Sequence, residues 1–163
     1  MKKIDINKDQ YVIVEIIPNH SDYRKGIIVQ LQALLINNGN IIKRMDYRVN
    51  DELVGNKDLI DMISYDKEIF QYVNNPQNIV DKFIEFIGKS PLLIIDNQYT
   101  KDYLKDIKNR KESVFQYLNL EYNDDVFDKL IKKYKLEPSN HLVDLLYESL
   151  MFEQESKWFF FCL

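Results

Sequence analysis

The sequence predicts an α/β fold in which a mixed sheet of five strands carries helices on its faces. Residues 11–17, YVIVEII, are β-branched and almost wholly apolar, which is typical of a central strand buried on both faces. Residues 37–40, NNGN, contain the Asn-Gly pair that marks a tight hairpin, because both residue types tolerate positive φ. From about Leu53 onward the apolar spacing changes to a helical period, so helices are expected to follow the first strands.

The first three strands are expected to form an antiparallel meander. The strand over residues 11–17 is expected to end at Pro18 and Asn19, because Pro18 has no amide donor for a central ladder and Asn19 favours a turn. Residues 26–36 then alternate around apolar positions, and residues 41–49 return from the Asn-Gly hairpin. Antiparallel pairing follows because these strands are joined by short connections.

Helices and strands alternate in the rest of the chain. Apolar residues at helical spacing, at Leu59, Met62 and Ile63 and again at Ile69, Tyr72 and Val73, predict helical structure over this segment. The next helix is predicted to begin with Asn78 as its cap and to end at Gly88. The later elements are expected in this order: a buried strand at 91–95, a helix at 98–108, a strand at 113–120, a helix capped by Asp124 or Asp125, and a last helix at 141–155. Such an order favours a mixed sheet with helices on its faces.

Length, charge and cysteine content indicate the number of domains, the kind of partner and the location of the protein. The 163 residues suit one domain, expected over residues 1–155, followed by an apolar tail at 156–163. A net charge of −4 argues against a surface coated in positive charge for wrapping nucleic acid. Cys162 is the single cysteine, so no internal disulfide is possible, and a cytoplasmic, reducing location is expected. No apolar run is long enough to span a bilayer.

Three stretches of the chain resemble one family of nucleases. Residues 78–104, NIVDKFIEFIGKSPLLIIDNQYTKDYL, are similar to the helix, glycine turn, strand and helix of the DEDD family of 3′–5′ exonucleases. Residues 11–19, YVIVEIIPN, resemble the family's first motif, a strand that ends in Asp-x-Glu. Residues 127–153 resemble the third block, where a His begins a helix and an Asp follows five residues later. The resemblance spans roughly residues 10–155 and implies an RNase H-like fold of the proofreading-subunit and RNase T type.

The resemblance also implies an active site, and this sequence departs from it. In the family, four carboxylates hold two divalent ions that activate water and stabilise the phosphodiester transition state. Here the Asp position of the first motif carries Glu15 and the Glu position carries Ile17. In ungapped register, the catalytic Asp of the second motif falls on Thr100, a neutral hydroxyl. Asp96 is close to Thr100 in the sequence, but a shift of register to use it would misplace the residues that follow.

Two registers stay open for the third motif. If His141 matches the family's general base, Leu146 occupies the Asp position. If Asp144 matches the Asp, Ser139 occupies the His position, and Phe152 then falls on the family's aromatic residue. Neither register supplies both groups.

At best, two of the four metal ligands are retained, Glu15 and Asp144. We therefore expect an exonuclease-like domain with no catalytic residue and no cofactor, which acts as a non-catalytic binding module. The alternative is an active 3′–5′ exonuclease that uses Mg²⁺ or Mn²⁺ with an unusual ligand set, in which Glu15, Asp96 and Asp144 converge.

Two features bear on partners. The tail SKWFFFCL either folds back on its own domain as a final strand or docks to a protein partner or a second copy, through Trp158, Phe159, Phe160 and Phe161. Two basic clusters are solvated helix faces or nucleic-acid contacts: Lys105, Lys108, Arg110 and Lys111, and Lys129, Lys132, Lys133 and Lys135. Net charge and the apolar tail favour a protein partner over nucleic acid, with no membrane contact.

Overall fold

The computed structural model of the chain describes residues 3–63, 67–95, 97–111, 117–120, 132, 142–152 and 158–160. The strands are β1 (Lys3–Asp5), β2 (Gln10–Pro18), β3 (Ile28–Asn37), β4 (Asn40–Val49), β5 (Gln71–Val73), β6 (Leu92–Ile95), β7 (Tyr117–Leu120) and β8 (Trp158–Phe160). The helices are α1 (Asp51–Val54), α2 (Lys57–Ile63), α3 (Pro76–Ile87), α4 (Gln98–Arg110) and α5 (Leu142–Phe152), with a 3₁₀ turn at Lys67–Ile69. The predicted helix after Asp124 or Asp125 lies outside the described residues.

Six strands form the main sheet, in the order β5-β4-β3-β2-β6-β7. Pairs β2–β3 and β3–β4 are antiparallel, whereas β2–β6, β6–β7 and β4–β5 are parallel. This arrangement confirms the predicted mixed sheet, with an antiparallel meander followed by parallel strands. The sheet differs from the five-stranded prediction by one short strand, β5, which lies beside β4.

The hairpin between β3 and β4 is the predicted Asn-Gly turn. Asn38 and Gly39 have φ values of 51° and 74°, and Asn37 pairs with Asn40 across the turn. Only residue types that tolerate the left-handed region hold such a turn without strain, which is why the sequence signal is reliable.

One helical segment and one helix cap are predicted wrongly. The segment with Ile69, Tyr72 and Val73 is a 3₁₀ turn followed by β5, because Tyr72 pairs with Arg48 of β4 and this tertiary pairing overrides the local spacing. Helix α3 begins at Pro76, and its cap is Asn75 rather than Asn78. The Asn75 side chain accepts a hydrogen bond from the Gln77 amide, and Pro76 suits the first turn because it needs no amide donor there. The predicted end at Gly88 is confirmed.

Hydrophobic cores cover both faces of the sheet. On one face, β2, β3 and β4 pack against α3 and α4 through residues that include Val14, Leu31, Phe83 and Leu104. On the other face, Tyr11, Ile13 and Leu34 pack against β1 and α5. We call these the α3/α4 face and the α5 face.

The two ends of the described chain pair with each other. Strand β8 lies antiparallel to β1, with Phe159 opposite Ile4. Of the two alternatives for the tail, the backbone of Trp158–Phe160 adopts the folded-back strand. The side chains of Trp158, Phe159 and Phe160, and the whole of Phe161, lie outside the described part of the chain, so their proposed contact with a partner stays a prediction.

Candidate functional site

The position matched to the first nuclease motif lies within β2, on the α5 face. Glu15 alternates with Tyr11 and Ile13, which are buried there, and its carboxylate oxygen Oε2 is itself buried. Ile17 is half-buried and packs against the edge of the α3/α4 core. The stretch compared with the first motif therefore carries one half-buried carboxylate, Glu15, and an apolar residue, Ile17, at the second position.

A polar row crosses three strands at the level of Glu15. Gln32 of β3 lies directly opposite Glu15, and Asp46 of β4 lies directly opposite Gln32. The Gln32 side chain is fully buried and donates from Nε2 to Oδ1 of Asp46 over 2.9 Å. A buried amide is tolerated only when it is hydrogen-bonded, so this contact holds the row in place.

Arg44 extends this row to the last helix. Its Nε and Nη2 donate to Asp46 over 2.7 and 3.0 Å, and its Nη1 and Nη2 donate to the two oxygens of Asp144 over 3.2 Å each. These hydrogen bonds, first those to Asp46 and then those to Asp144, raise the pKa of the Arg44 guanidinium against the opposing effect of desolvation. The guanidinium thus lies between two carboxylates and connects β4 to α5.

Thr100, the residue compared with the second motif's Asp, lies in the first turn of α4. Helix α4 starts at Gln98, where Asn97 caps it by accepting a hydrogen bond from the Tyr99 amide over 3.0 Å. Thr100 follows in the first turn and is buried, with 6% of its surface exposed, on the side of the helix that also buries Tyr103 and Leu104. The site residue predicted here is therefore a buried hydroxyl.

Asp144 and Leu146, the two candidates for the Asp of the third motif, lie in different environments. Asp144 lies in the first turn of α5 and reaches Arg44, whereas Leu146 is fully buried in the core of the α5 face. A carboxylate at Leu146 would lie among apolar side chains. Ser139, His141 and Asp96 lie outside the described residues, so the ligand set of Glu15, Asp96 and Asp144 stays a prediction.

Among the residues that the structure describes, no three His, Cys, Asp or Glu side chains lie together as metal ligands would. None of the described helices is long and apolar enough to cross a membrane.

The first basic cluster is exposed on α4 and just beyond it. Lys105, Lys108, Arg110 and Lys111 are all exposed. Arg110 is ion-paired with Asp106 over 2.8 Å, and Lys111 with Asp81 over 2.7 Å. Of the second cluster, Lys132 is exposed, and Lys129, Lys133 and Lys135 lie outside the described ranges.

Sequence reasoning missed a cleft of about 370 Å³ between the β2–β3 connection and helices α3 and α4, which we call the hairpin cleft. Tyr103 contributes to its wall and donates from its hydroxyl to the His20 carbonyl over 2.9 Å. Gly26 is necessary there, since an added Cβ would lie 2.7 Å from the Tyr103 hydroxyl and 2.6 Å from the His20 Cβ. An isolated glycine before a strand was the only sequence signal for this close approach.

No protein family matches this chain, and no curated protein is significantly similar to it.

Proposed function

We propose that this chain is an exonuclease-like domain, of RNase H-like fold, which has lost its metal-binding carboxylates and acts as a non-catalytic module that binds a protein partner. The observation that carries the proposal is the position of Arg44 between Asp46 and Asp144. Asp144 is the carboxylate best matched to the family's third-motif Asp, and both of its oxygens accept hydrogen bonds from this guanidinium.

The chemistry of this ion pair opposes a divalent metal. A divalent ion needs carboxylate oxygens with free lone pairs, and it surrenders its own water reluctantly. To reach Asp144, it would have to displace a guanidinium that makes two parallel hydrogen bonds, the geometry that suits arginine and carboxylate best. It would also be repelled by the positive charge of Arg44. A permanent cation supplied by the chain thus compensates the charge of Asp144.

Two further positions support the same proposal. Ile17 cannot ligate a metal, and the buried Thr100 offers a neutral hydroxyl where the nuclease mechanism needs an anion. The described residues matched to the motifs do not fit a two-metal centre. The mixed sheet, with its antiparallel meander and parallel strands, agrees with an RNase H-like arrangement.

A protein partner is favoured over nucleic acid on the basis of charge. The net charge of −4 gives a weak long-range attraction for phosphate, and Arg110 and Lys111 already pair with carboxylates. Binding to a protein surface requires no such positive field.

The test combines a metal-binding measurement with a nuclease assay. The purified chain is titrated with Mn²⁺ by calorimetry and then incubated with single-stranded and duplex DNA and RNA in Mg²⁺ or Mn²⁺. We expect no Mn²⁺ binding tighter than about 1 mM and no cleavage. Glu15→Ala is the site variant, and Glu52→Ala, an exposed carboxylate on α1, is its matched control. Metal-dependent cleavage that is lost in Glu15→Ala and retained in Glu52→Ala would overturn the proposal.

A salt series separates the two classes of partner. Nucleic-acid binding that depends on phosphate contacts weakens steeply as the salt concentration rises. We expect no retention of single-stranded or duplex probes in 150 mM salt. Tight retention that falls steeply with salt would show a nucleic-acid binder and contradict the assignment of a protein partner.

A further inference from the structure

Among the described strands, the outer edge of β4 has a partner over only a short part of its length. Strand β5 pairs with β4 only at Tyr47–Val49, and no described strand pairs with the same edge over residues 40–46. Residues 40–44 are exposed, and Ile41 and Ile42 have 41% and 53% of their surfaces exposed. An open strand edge presents unpaired amide and carbonyl groups, which are a template for an added strand. We call residues 40–46 the β4 edge.

A groove lies beside the β4 edge, between β4 and α3. Its volume is about 250 Å³, and it is lined by Lys43, Arg44, Met45, Tyr47, Lys82, Glu85 and Phe86. Met45 is buried, and Phe86 and Tyr47 are half-buried, so these three form an apolar wall. An extended peptide on the β4 edge would direct alternate side chains to this side of the sheet, where one apolar side chain could enter the groove.

The groove is more basic than the chain as a whole. The charged side chains on this face are Lys43, Lys82 and Glu85, since the Arg44 guanidinium lies on the α5 face with Asp46 and Asp144, and the net charge of the protein is −4. Lys43 forms no ion pair with any described residue, and Lys82 is paired only loosely with Glu85, over 3.6 Å. Carboxylates on an incoming strand would therefore find cations available at Lys43 and Lys82.

The positive charges of Lys43 and Arg44 disfavour the binding of a second copy of this chain to the β4 edge. If two β4 edges paired about a twofold axis at residue 43, Lys43 would lie opposite Lys43 of the other copy. An axis at residue 44 would place the two Arg44 residues opposite each other. Like charges directly opposite each other destabilise a strand pair.

We propose that the β4 edge binds an extended, acidic segment of a protein partner as an added strand, with an apolar side chain in the groove between Met45 and Phe86. This proposal rests on the function proposed above and gives the chemistry of the partner. Backbone hydrogen bonds along residues 40–46 supply affinity, and the groove with its two lysines selects an apolar residue flanked by carboxylates.

The test uses a fluorescein-labelled heptapeptide, Thr-Glu-Thr-Val-Thr-Glu-Thr, which places one valine between two glutamates on the same face of a strand. Binding to the full chain is followed by fluorescence polarisation. We expect Lys43→Glu to weaken binding by at least about five-fold, the effect of one surface ion pair of about 1 kcal/mol. Lys105→Glu makes the same charge change on an exposed position of α4 and should alter affinity less than about two-fold.

Hydrogen exchange gives an independent readout. Amides in residues 40–46 should exchange more slowly when the peptide is bound, whereas those of α4 should not change. The counterpart Thr-Lys-Thr-Val-Thr-Lys-Thr should bind at least about five-fold more weakly than the glutamate peptide. Equal binding of both peptides, no binding of either, unchanged affinity in Lys43→Glu, or a dimer of the chain that Lys43→Glu dissociates would each overturn the proposal.

These measurements contain neither metal nor nucleic acid. A failure of peptide binding would leave the non-catalytic assignment intact, because that assignment depends on the metal and nuclease assays. Metal-dependent cleavage would overturn the assignment without changing the measured peptide binding at β4.

Discussion

On the α3/α4 face, apolar side chains of β2 and β3 are buried along most of both strands, whereas on the α5 face they give way to a polar row. Val12, Val14 and Ile16 represent the first arrangement. On the second, Tyr11 and Ile13 are followed by Glu15, at the level of Gln32 and Asp46. The same strands therefore carry an ordinary core on one side and a partly polar interior on the other.

On the α5 face, the sheet buries polar groups, which is energetically unfavourable. Burying a polar group is unfavourable unless hydrogen bonds replace those made with water. On the α5 face, Gln32, Asp46, Arg44 and Asp144 supply these bonds to one another in sequence. Of the positions compared with nuclease ligands, Glu15 and Asp144 belong to this polar row, whereas Ile17 and Thr100 lie with the α3/α4 core.

The largest effect is expected when the apolar part of the α5 face is made acidic. Leu146→Asp would place a carboxylate at a fully buried position in the apolar cluster that contains Ile13, Leu34 and Val143. We expect a loss of at least about 4 kcal/mol in the free energy of unfolding, or no folded protein. Urea denaturation of this variant and of Glu148→Asp, an exposed position on the same helix, measures the difference.

Retained stability in Leu146→Asp would indicate that this position opens into a polar site. The register that matches Leu146 to the family's Asp would then be favoured over the register that uses Asp144. A strong loss of stability confined to Leu146→Asp would favour Asp144 instead.

Local signals were sufficient for much of the fold. The buried strand β2 and the Asn38-Gly39 turn were predictable because each depends on residues that are neighbours in the chain. Strand β5 was not, because its three residues are held in the sheet by pairing with Tyr47–Val49, more than 20 residues away. Short strands of this kind are specified by their partners and not by their own composition.

The candidate site was less predictable for the same reason. The sequence resemblance singled out Glu15, Ile17 and Thr100. The role of Arg44 could not, since 100 residues separate it from Asp144 and only the packing of α5 on the sheet brings them together. Gln30 and Gln32 alternate with apolar residues, which usually marks a solvent-facing side of a strand, yet both are buried.

A double-mutant cycle compares an ion pair from each face. We expect Arg44→Ala and Asp144→Ala to show a coupling energy of about 1 kcal/mol, because the pair is bidentate and partly buried. The exposed pair of Arg110 and Asp106, one turn apart on α4, should show about 0.3–0.5 kcal/mol. Urea denaturation of the four single and two double variants in low and high salt provides both values. Equal coupling in the two pairs would contradict a special role for Arg44 on the α5 face.

The smallest effect concerns one buried tyrosine from each face. Burial, with a smaller contribution from Asp22 and Asp106, raises the pKa of Tyr103 to about 12, and burial also raises the pKa of Tyr11. The unfolded chain releases these protons near pH 10, while the folded protein still holds them. The stability linked to Tyr103 is therefore complete below about pH 10 and is lost as the pH rises toward 12. Each tyrosine should account for about half a kcal/mol of the loss at pH 10.

Phenylalanine variants isolate this effect. Tyr103→Phe removes the hydrogen bond to the His20 carbonyl, and Tyr11→Phe removes the bond to the Ile6 carbonyl, so each should cost about 0.5–1.5 kcal/mol at pH 7. Between pH 9 and pH 11, each variant should lose less stability than the original chain, since one ionisable group that favours unfolding is gone. Denaturant titrations across this range measure the slopes. A slope that changes only in Tyr103→Phe would show that the α5 face admits water to Tyr11, and the contrast between the two faces would then extend from their packing to their solvation.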